Sequence, residues 1–171
     1  MIKIAVTGPE SSGKTTLASA LASKYHVPWV QEYSREYLTE LSGPYQEEDL
    51  LAIAHGQVAL ESKTSVSNPP LLICDTDMTV MAIWSLVRYG RLNPGIALLE
   101  QENLYHHTLL CKPDIPWEPG PLRENPNDRD ELYKRYYDRL TKLKKPFTII
   151  EGTEETRLKT AVSAIDCLIS P

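Results

Sequence analysis

Short apolar segments alternate along this chain with longer segments of helical periodicity. The short segments are rich in aliphatic and β-branched residues and predict five strands, at 2–6, 28–32, 71–74, 105–111 and 147–151. The longer segments repeat apolar residues every three or four positions and predict helices at 14–25, 46–65, 79–89 and 129–144. Two further helices are expected to begin at Asn93-Pro94 and at Thr153, because these residues suit a helix N-terminus.

The order of these elements predicts the fold class. Strands that alternate with helices are typical of βαβ units, which build a parallel sheet covered by helices on both faces. We therefore expect an α/β protein, a three-layer α/β/α sandwich around a five-stranded parallel sheet. The 171 residues show no break in composition, so a single domain over 1–171 is expected.

Composition and charge exclude several classes of function. The chain is 42% hydrophobic and 24% charged, with a formal net charge of -5, and no run of Lys and Arg is dense enough to bind nucleic acid. No apolar stretch approaches the ~20 residues that span a bilayer. The N-terminus does not have the pattern of a signal peptide. Neither nucleic acid nor membrane is therefore expected as a partner, and the sequence leaves the oligomeric state open.

The cysteines indicate the compartment. Cys74, Cys111 and Cys167 are far apart, and each lies in an apolar run without metal-ligand spacing. We expect buried, reduced thiols and a cytoplasmic location.

A phosphate-binding motif follows the first predicted strand. Residues 8–15, GPESSGKT, match G-x-x-x-x-G-K-[ST] at every position. Glycines let successive backbone N–H groups turn towards phosphate oxygens, and the following helix adds the positive end of its dipole. The motif predicts ATP and Mg²⁺, with Lys14 as a catalytic cation and Thr15 as a metal ligand. The predicted nucleotide-binding residues are Gly8, Pro9, Glu10, Ser11, Ser12, Gly13, Lys14, Thr15 and Thr16.

Two aspartates follow the third predicted strand. In proteins with this motif, an acidic residue at the end of a neighbouring strand holds the magnesium. We assign Asp75 to the metal and to catalysis, and Asp77 to the substrate. The alternative is that one of them caps the next helix, a common role for Asp in this position.

A polar cluster ends the second predicted strand. Glu32 is expected to accept the proton of an attacking hydroxyl as general base, with Arg35 as a second catalytic residue and Tyr33 beside them in the substrate site. The alternative for Glu32 and Arg35 is an ion pair on a solvated helix start.

A proline-rich segment at 112–127 is expected to form a lid that reaches about residue 129. Its arginines, Arg123 and Arg129, suit a clamp on the transferring phosphoryl group, although ordinary surface arginines are the alternative. Trp84 lies on an apolar helical stripe, so the default expectation is a core residue. The alternative is that its indole stacks on a planar, cationic ring of the acceptor.

Several runs together resemble the nicotinamide riboside kinase domain of NadR-type bacterial NAD-biosynthesis proteins, a branch of the P-loop nucleoside kinases. The most discriminating runs are EYSREYL at 32–38 and PDIPW at 113–117, and CDTD at 74–77 also matches. The resemblance implies a P-loop sheet of nucleoside-kinase order and transfer of the ATP γ-phosphate to the 5'-hydroxyl of nicotinamide riboside. It also implies that Gly152 lies beside the adenine and that Trp84 stacks on the acceptor.

The chain departs from the multi-domain members of that family in two ways. Its length leaves no room for their adenylyltransferase or DNA-binding domains, so the kinase step alone is expected. EPGP at 118–121 replaces a more acidic stretch, which leaves the acceptor open. The alternatives are a kinase for another nucleoside or nucleotide and a nucleotide-dependent regulatory ATPase.

Overall fold

A computed structural model describes residues 1–119 and 127–169. Its central sheet has five parallel strands in the order β2-β3-β1-β4-β5. The strands are β1 (Ile2–Thr7), β2 (Trp29–Val30), β3 (Leu71–Asp75), β4 (His107–Cys111) and β5 (Phe147–Ile150). The predicted fold class is thereby confirmed.

Helices cover both faces of the sheet. Within the described residues they are α1 (Lys14–Tyr25), α2 (Tyr33–Glu40), α3 (Glu47–Ser65), α4 (Met78–Tyr89), α5 (Pro94–Glu102), α6 (Arg129–Lys142) and α7 (Glu154–Ile169). Alternate residues of a strand point to opposite faces, so Ile73 packs with α1 and α7 whereas Leu72 and Cys74 pack on the other side. Helices α3 to α6 provide the apolar residues of that second face.

The helix start predicted at Asn93-Pro94 is present, and a glycine ends the helix that precedes it. The Asn93 side chain accepts hydrogen bonds from the N–H groups of Gly95 and Ile96 and caps α5, with Pro94 at its first position. Gly90 ends α4 in the left-handed conformation, which glycine adopts without steric cost.

Several element boundaries and one helix differ from the prediction. Strand β2 covers Trp29–Val30 alone, because it is an edge strand that pairs only with β3. Residues Tyr33–Glu40 form helix α2, which the largely polar sequence indicated only through the helix start in the alternative for Glu32 and Arg35. Strand β4 begins at His107 instead of residue 105, and β5 ends at Ile150 instead of residue 151.

The prediction of three buried thiols was wrong in one case. Cys74 and Cys111 are buried in strands β3 and β4, whereas Cys167 is exposed near the end of α7. The apolar run around Cys167 is helical, and only part of a helix circumference packs on the sheet. In the described part of the chain, no helix is long and apolar enough to cross a membrane.

Candidate active site

A cavity of about 1030 Å³ opens beside the carboxyl ends of β1 and β2. Ligand sites of open α/β sheets lie at this edge, where connections leave the strands. Residues 8–16 line one side of the cavity, and Glu32, Ser34 and Arg35 from the start of α2 lie next to them. Helix α4 and the α6 residues Leu132 and Tyr136 line other parts. The predicted nucleotide-binding loop and the predicted general base therefore face the same space.

The loop at residues 8–13 needs glycine at both ends. Gly8 has φ 138°, and a Cβ there would lie 2.5 Å from the Cys111 carbonyl oxygen, so the neighbouring strand excludes any side chain. Gly13 has φ 79° and precedes α1. A hydrogen bond within the loop also stabilises the turn, because the Ser12 hydroxyl donates to the Pro9 carbonyl at 2.7 Å. These constraints hold the backbone in a tight concave turn.

Lys14 lies over this turn. Its ammonium group donates to the carbonyl oxygens of Gly8 at 3.0 Å and of Pro9 at 2.8 Å. The cation is therefore held at the rim of the concave loop, where an anionic group would bind.

Thr15 connects an acidic and a basic residue beside the loop. Its hydroxyl donates to Oδ2 of Asp75 at 2.7 Å and accepts from the Arg35 guanidinium at 2.9 Å. Burial raises the pKa of Asp75 above its ordinary value, although the Thr15 hydrogen bond and the positive charges of Lys14 and Arg35 oppose that shift. Oδ1 of Asp75 is buried without a hydrogen-bond partner among the described residues. A carboxylate oxygen in this state, next to a hydroxyl, is suited to a hard cation.

Glu32 occupies the N-cap position of α2 without a capping hydrogen bond from its side chain, and it is partly exposed and lines the cavity. Its carboxylate accepts from the Ser34 hydroxyl at 2.7 Å and from Nε of Arg35 at 3.4 Å. The ion pair that the sequence left as an alternative is therefore present. Because both residues line the cavity, the ion pair orients the carboxylate there and does not exclude a catalytic role.

Asp77 does not have the arrangement predicted for a substrate contact. It is fully buried, accepts from the Thr7 hydroxyl at 2.8 Å, and caps α4 by accepting from the Val80 N–H at 3.2 Å. It is not among the described residues that line the cavity. The structure thus favours the capping alternative for this residue.

Tyr33 is also not among the described residues that line the cavity. A Cβ on Gly56 of α3 would lie 2.0 Å from the Tyr33 ring, so the ring packs directly on that helix. The Tyr33 N–H donates to the side-chain oxygen of Gln57 at 2.9 Å. These contacts pack Tyr33 between α2 and α3, and its assignment to the substrate stays a prediction.

Trp84 lies on the cavity wall formed by α4. Its indole N–H donates to the Tyr45 hydroxyl at 3.0 Å, and the two rings meet edge to face with centroids 5.3 Å apart. The hydrogen bond fixes the plane of the indole. Arg88 lies one turn further along the same wall, with its guanidinium carbon 5.7 Å from the Tyr45 ring centroid. Sequence analysis had not identified Tyr45 or Arg88 as site residues.

The described part of the predicted lid lies against the loop. Arg129 donates to the carbonyl oxygens of Ser11 and Ile115, each at 3.0 Å, and does not line the cavity. The Glu118 N–H donates to the Ser11 hydroxyl at 3.0 Å. Arg123 falls outside the described residues.

The loop after β5 lies close to the phosphate-binding loop. Gly152 adopts φ 87° and donates its N–H to Oδ2 of Asp114 at 2.7 Å. Arg157, from the first turns of α7, contacts both Gly152 and Ser12. Sequence analysis assigned no role to Asp114, although it lies within the run at 113–117, and it missed Arg157, which belongs to no local motif.

The fold and this loop define the class: the chain is a P-loop nucleotide-binding protein. It belongs to the family described as "AAA domain", whose model matches residues 3–157.

The chain is similar to the trifunctional NAD biosynthesis/regulator protein NadR of Salmonella typhimurium, with 29% identity over 126 residues, or 70% of this chain. It spans 30% of the length of that relative. Among solved structures, a NadR protein in complex with NR matches with a TM-score of 0.77 and 21% identity over 99% of this chain and 52% of that one. A thymidylate kinase from Ehrlichia chaffeensis matches with a TM-score of 0.66 and 19% identity over 98% of each chain. The resemblance to NadR-type proteins is thus confirmed.

Proposed function

We propose that this chain is an ATP-dependent kinase that phosphorylates the 5'-hydroxyl of nicotinamide riboside to give nicotinamide mononucleotide. The observation that carries the proposal is one cavity in which a carboxylate, Glu32, and a tryptophan, Trp84, face the phosphate-binding loop. The similarity to NadR supports the choice of substrate.

The loop residues would bind the ATP phosphates. Backbone N–H groups of the loop and the N-terminus of α1 attract the phosphate oxygens, and Lys14 neutralises charge on the β- and γ-phosphates. The Gly8 and Pro9 carbonyls that hold Lys14 are weaker partners than phosphate oxygens, so we expect its ammonium group to transfer to the nucleotide.

Thr15 and Asp75 fit a magnesium ion that arrives with the nucleotide. No group of three or more His, Cys, Asp or Glu in the described part of the chain could hold a metal by itself. Mg²⁺ commonly binds through one or two carboxylates together with substrate phosphates and waters, and this site offers such a set. When bound, the ion neutralises charge that develops on the phosphoryl group.

Glu32 would accept the proton of the 5'-hydroxyl. As the hydroxyl oxygen bonds to the γ-phosphorus, the bond from that phosphorus to the ADP oxygen breaks, and ADP leaves. Hydrogen bonds from Ser34 and Arg35 already orient the carboxylate for this role. Arg123 and Arg129 stay predictions for a clamp on the phosphoryl group, and for Arg129 such a role requires release from the Ser11 carbonyl.

The nicotinamide ring of this acceptor is flat and cationic. The face of an indole attracts such a ring, and the hydrogen bond to Tyr45 holds the indole of Trp84 in one orientation. Free thiols at Cys74 and Cys111 fit a cytoplasmic location, which we also propose.

A second candidate is supported by Arg88. This cation lines the same cavity and would suit the phosphate of a nucleotide acceptor. The chain would then be a nucleotide kinase that uses the same loop, with an anionic phosphate oxygen of the acceptor as the nucleophile and no need for Glu32 as a base.

A panel of acceptors distinguishes the nicotinamide riboside kinase from the nucleotide kinase. ADP release would be measured with Mg-ATP and nicotinamide riboside, pyrimidine nucleosides or nucleoside monophosphates, and without acceptor. We expect nicotinamide riboside to stimulate release most strongly. Preference for a monophosphate would favour the second candidate, and release that no acceptor stimulates would favour a regulatory ATPase.

Replacement of Trp84 by alanine tests the acceptor wall. We expect the KM for the acceptor to rise about tenfold or more, as stacking on an aromatic ring contributes roughly 1–3 kcal/mol, while the KM for ATP changes less than about twofold. Trp29→Ala is the control, because Trp29 is partly buried against the core and is not among the described cavity residues. Loss of thermal stability in both variants with unchanged acceptor KM would assign Trp84 to packing alone.

A further inference from the structure

Arg157 is a buried arginine that the proposed chemistry does not use. It is 4% exposed and lies on α7, opposite the backbone of the phosphate-binding loop. Its guanidinium group donates to the carbonyl oxygens of Ser12 at 2.8 Å and Lys112 at 2.7 Å, and its Nε donates to that of Gly152 at 2.9 Å. One side chain thus joins the phosphate-binding loop to the loops that follow β4 and β5.

Asp114 neutralises this buried charge. Its carboxylate pairs with the Arg157 guanidinium and also accepts from the Gly152 N–H at 2.7 Å. Burial alone would raise the pKa of Asp114, but the Gly152 hydrogen bond and the Arg157 charge lower it below the ordinary value. The pair therefore stays charged and fixed in position near neutral pH.

The contact with Ser12 determines the direction of an N–H group. In a planar trans peptide, the carbonyl and the following N–H point in opposite directions. Because Arg157 holds the Ser12 carbonyl on the α7 side, the Gly13 N–H is directed to the other side. Gly13 itself lines the cavity.

Arg129 makes the equivalent contact one peptide earlier. It holds the Ser11 carbonyl at 3.0 Å and so directs the Ser12 N–H. Ser11 adopts φ 53°, a left-handed conformation that is unfavourable for a serine and needs support from its surroundings. Two arginines outside the cavity thus hold two successive peptides of the loop.

We propose that Arg157 is a positioning residue for the polyphosphate of the nucleotide. It orients the Gly13 N–H before the nucleotide arrives, so that a phosphate oxygen meets a donor that is already aligned. The proposal rests on the phosphate-binding loop and is independent of the acceptor.

The test compares Arg157→Lys with Arg139→Lys. Lysine keeps the positive charge but cannot reach several carbonyl oxygens with a planar fork. Arg139 also pairs with a buried carboxylate, that of Glu100, but it joins α5 to α6 and does not contact the loop. Thermal unfolding of both variants would show the purely structural cost.

Dissociation constants would be measured for Mg-ADP and for inorganic tripolyphosphate, which competes for the loop and has no adenosine. We expect Arg157→Lys to weaken both ligands roughly tenfold to hundredfold, the effect of one lost hydrogen bond to a charged group, and Arg139→Lys to leave both unchanged. An equal loss for the two ligands would identify the phosphate-binding loop as the affected part.

Three results would overturn the proposal. Unchanged affinity in a folded Arg157→Lys would leave the residue with a structural role only. A loss of affinity confined to Mg-ADP would place the effect at Gly152, which the resemblance puts beside the adenine, and not at the phosphate-binding loop. Failure of tripolyphosphate to displace ADP from the wild type would show that the loop supplies little of the binding affinity. If Arg157→Lys does not fold, Asp114→Asn is measured in its place. We then expect a smaller loss of affinity for both Mg-ADP and tripolyphosphate, and unchanged affinity for both would contradict the proposal.

Discussion

Lys14→Ala is expected to lower phosphoryl transfer by at least about 10²–10³-fold while the protein stays folded. Loss of a single preorganised group that stabilises transition-state charge commonly has an effect of this size. Lys14 is held at the rim of the loop by two backbone carbonyls, so its removal deletes a cation that lies beside the expected phosphates. Initial rates at saturating Mg-ATP and acceptor measure the loss of phosphoryl transfer. A thermal unfolding curve shows whether the variant stays folded.

The control for Lys14 lies on the same helix. Lys24 is exposed in the last turn of α1, far along the helix from the loop. Lys24→Ala should retain the wild-type rate. Normal transfer by Lys14→Ala would contradict the assignment of this loop to ATP.

Glu32→Gln should slow the chemical step by roughly 10²-fold or more, the usual contribution of general-base catalysis. Glutamine preserves the size of the side chain and can still accept from the Ser34 hydroxyl, but it cannot take up a proton at the pH of the reaction. Single-turnover measurements are the appropriate assay, because product release limits the steady-state rate of many kinases and would hide part of the loss.

Glu36→Gln is the matched control for the base. Glu36 is exposed on the same helix and is not among the described cavity residues, so its replacement should have no effect on the single-turnover rate. An unchanged rate in Glu32→Gln would make the Glu32–Arg35 pair a structural feature of the start of α2.

The parts of the site predicted from the sequence are those with a local signature. Residues 8–15 occur in one continuous motif between a strand and a helix, and both the loop and its position in the fold follow from that run. Glu32 and Asp75 were found because parallel strands end at one edge of the sheet.

The parts that could not be predicted depend on how the helices pack. Asp75 and Asp77 are two residues apart and chemically identical, yet only the folded chain shows that Asp77 caps α4 beneath the cavity. Tyr33 is adjacent to Glu32, but its ring turns onto α3 because Gly56 leaves space there. Arg157 is separated from Ser12 by 145 positions, so no pattern in the sequence connects them.

The most direct test of the proposed activity is to identify the product. Purified protein would be incubated with Mg-ATP and nicotinamide riboside, and ADP and nicotinamide mononucleotide would be quantified in the same samples. The account predicts that the two appear in a one-to-one ratio and that little ADP forms without nicotinamide riboside. ADP formation that is independent of nicotinamide riboside, with no nicotinamide mononucleotide, would contradict it.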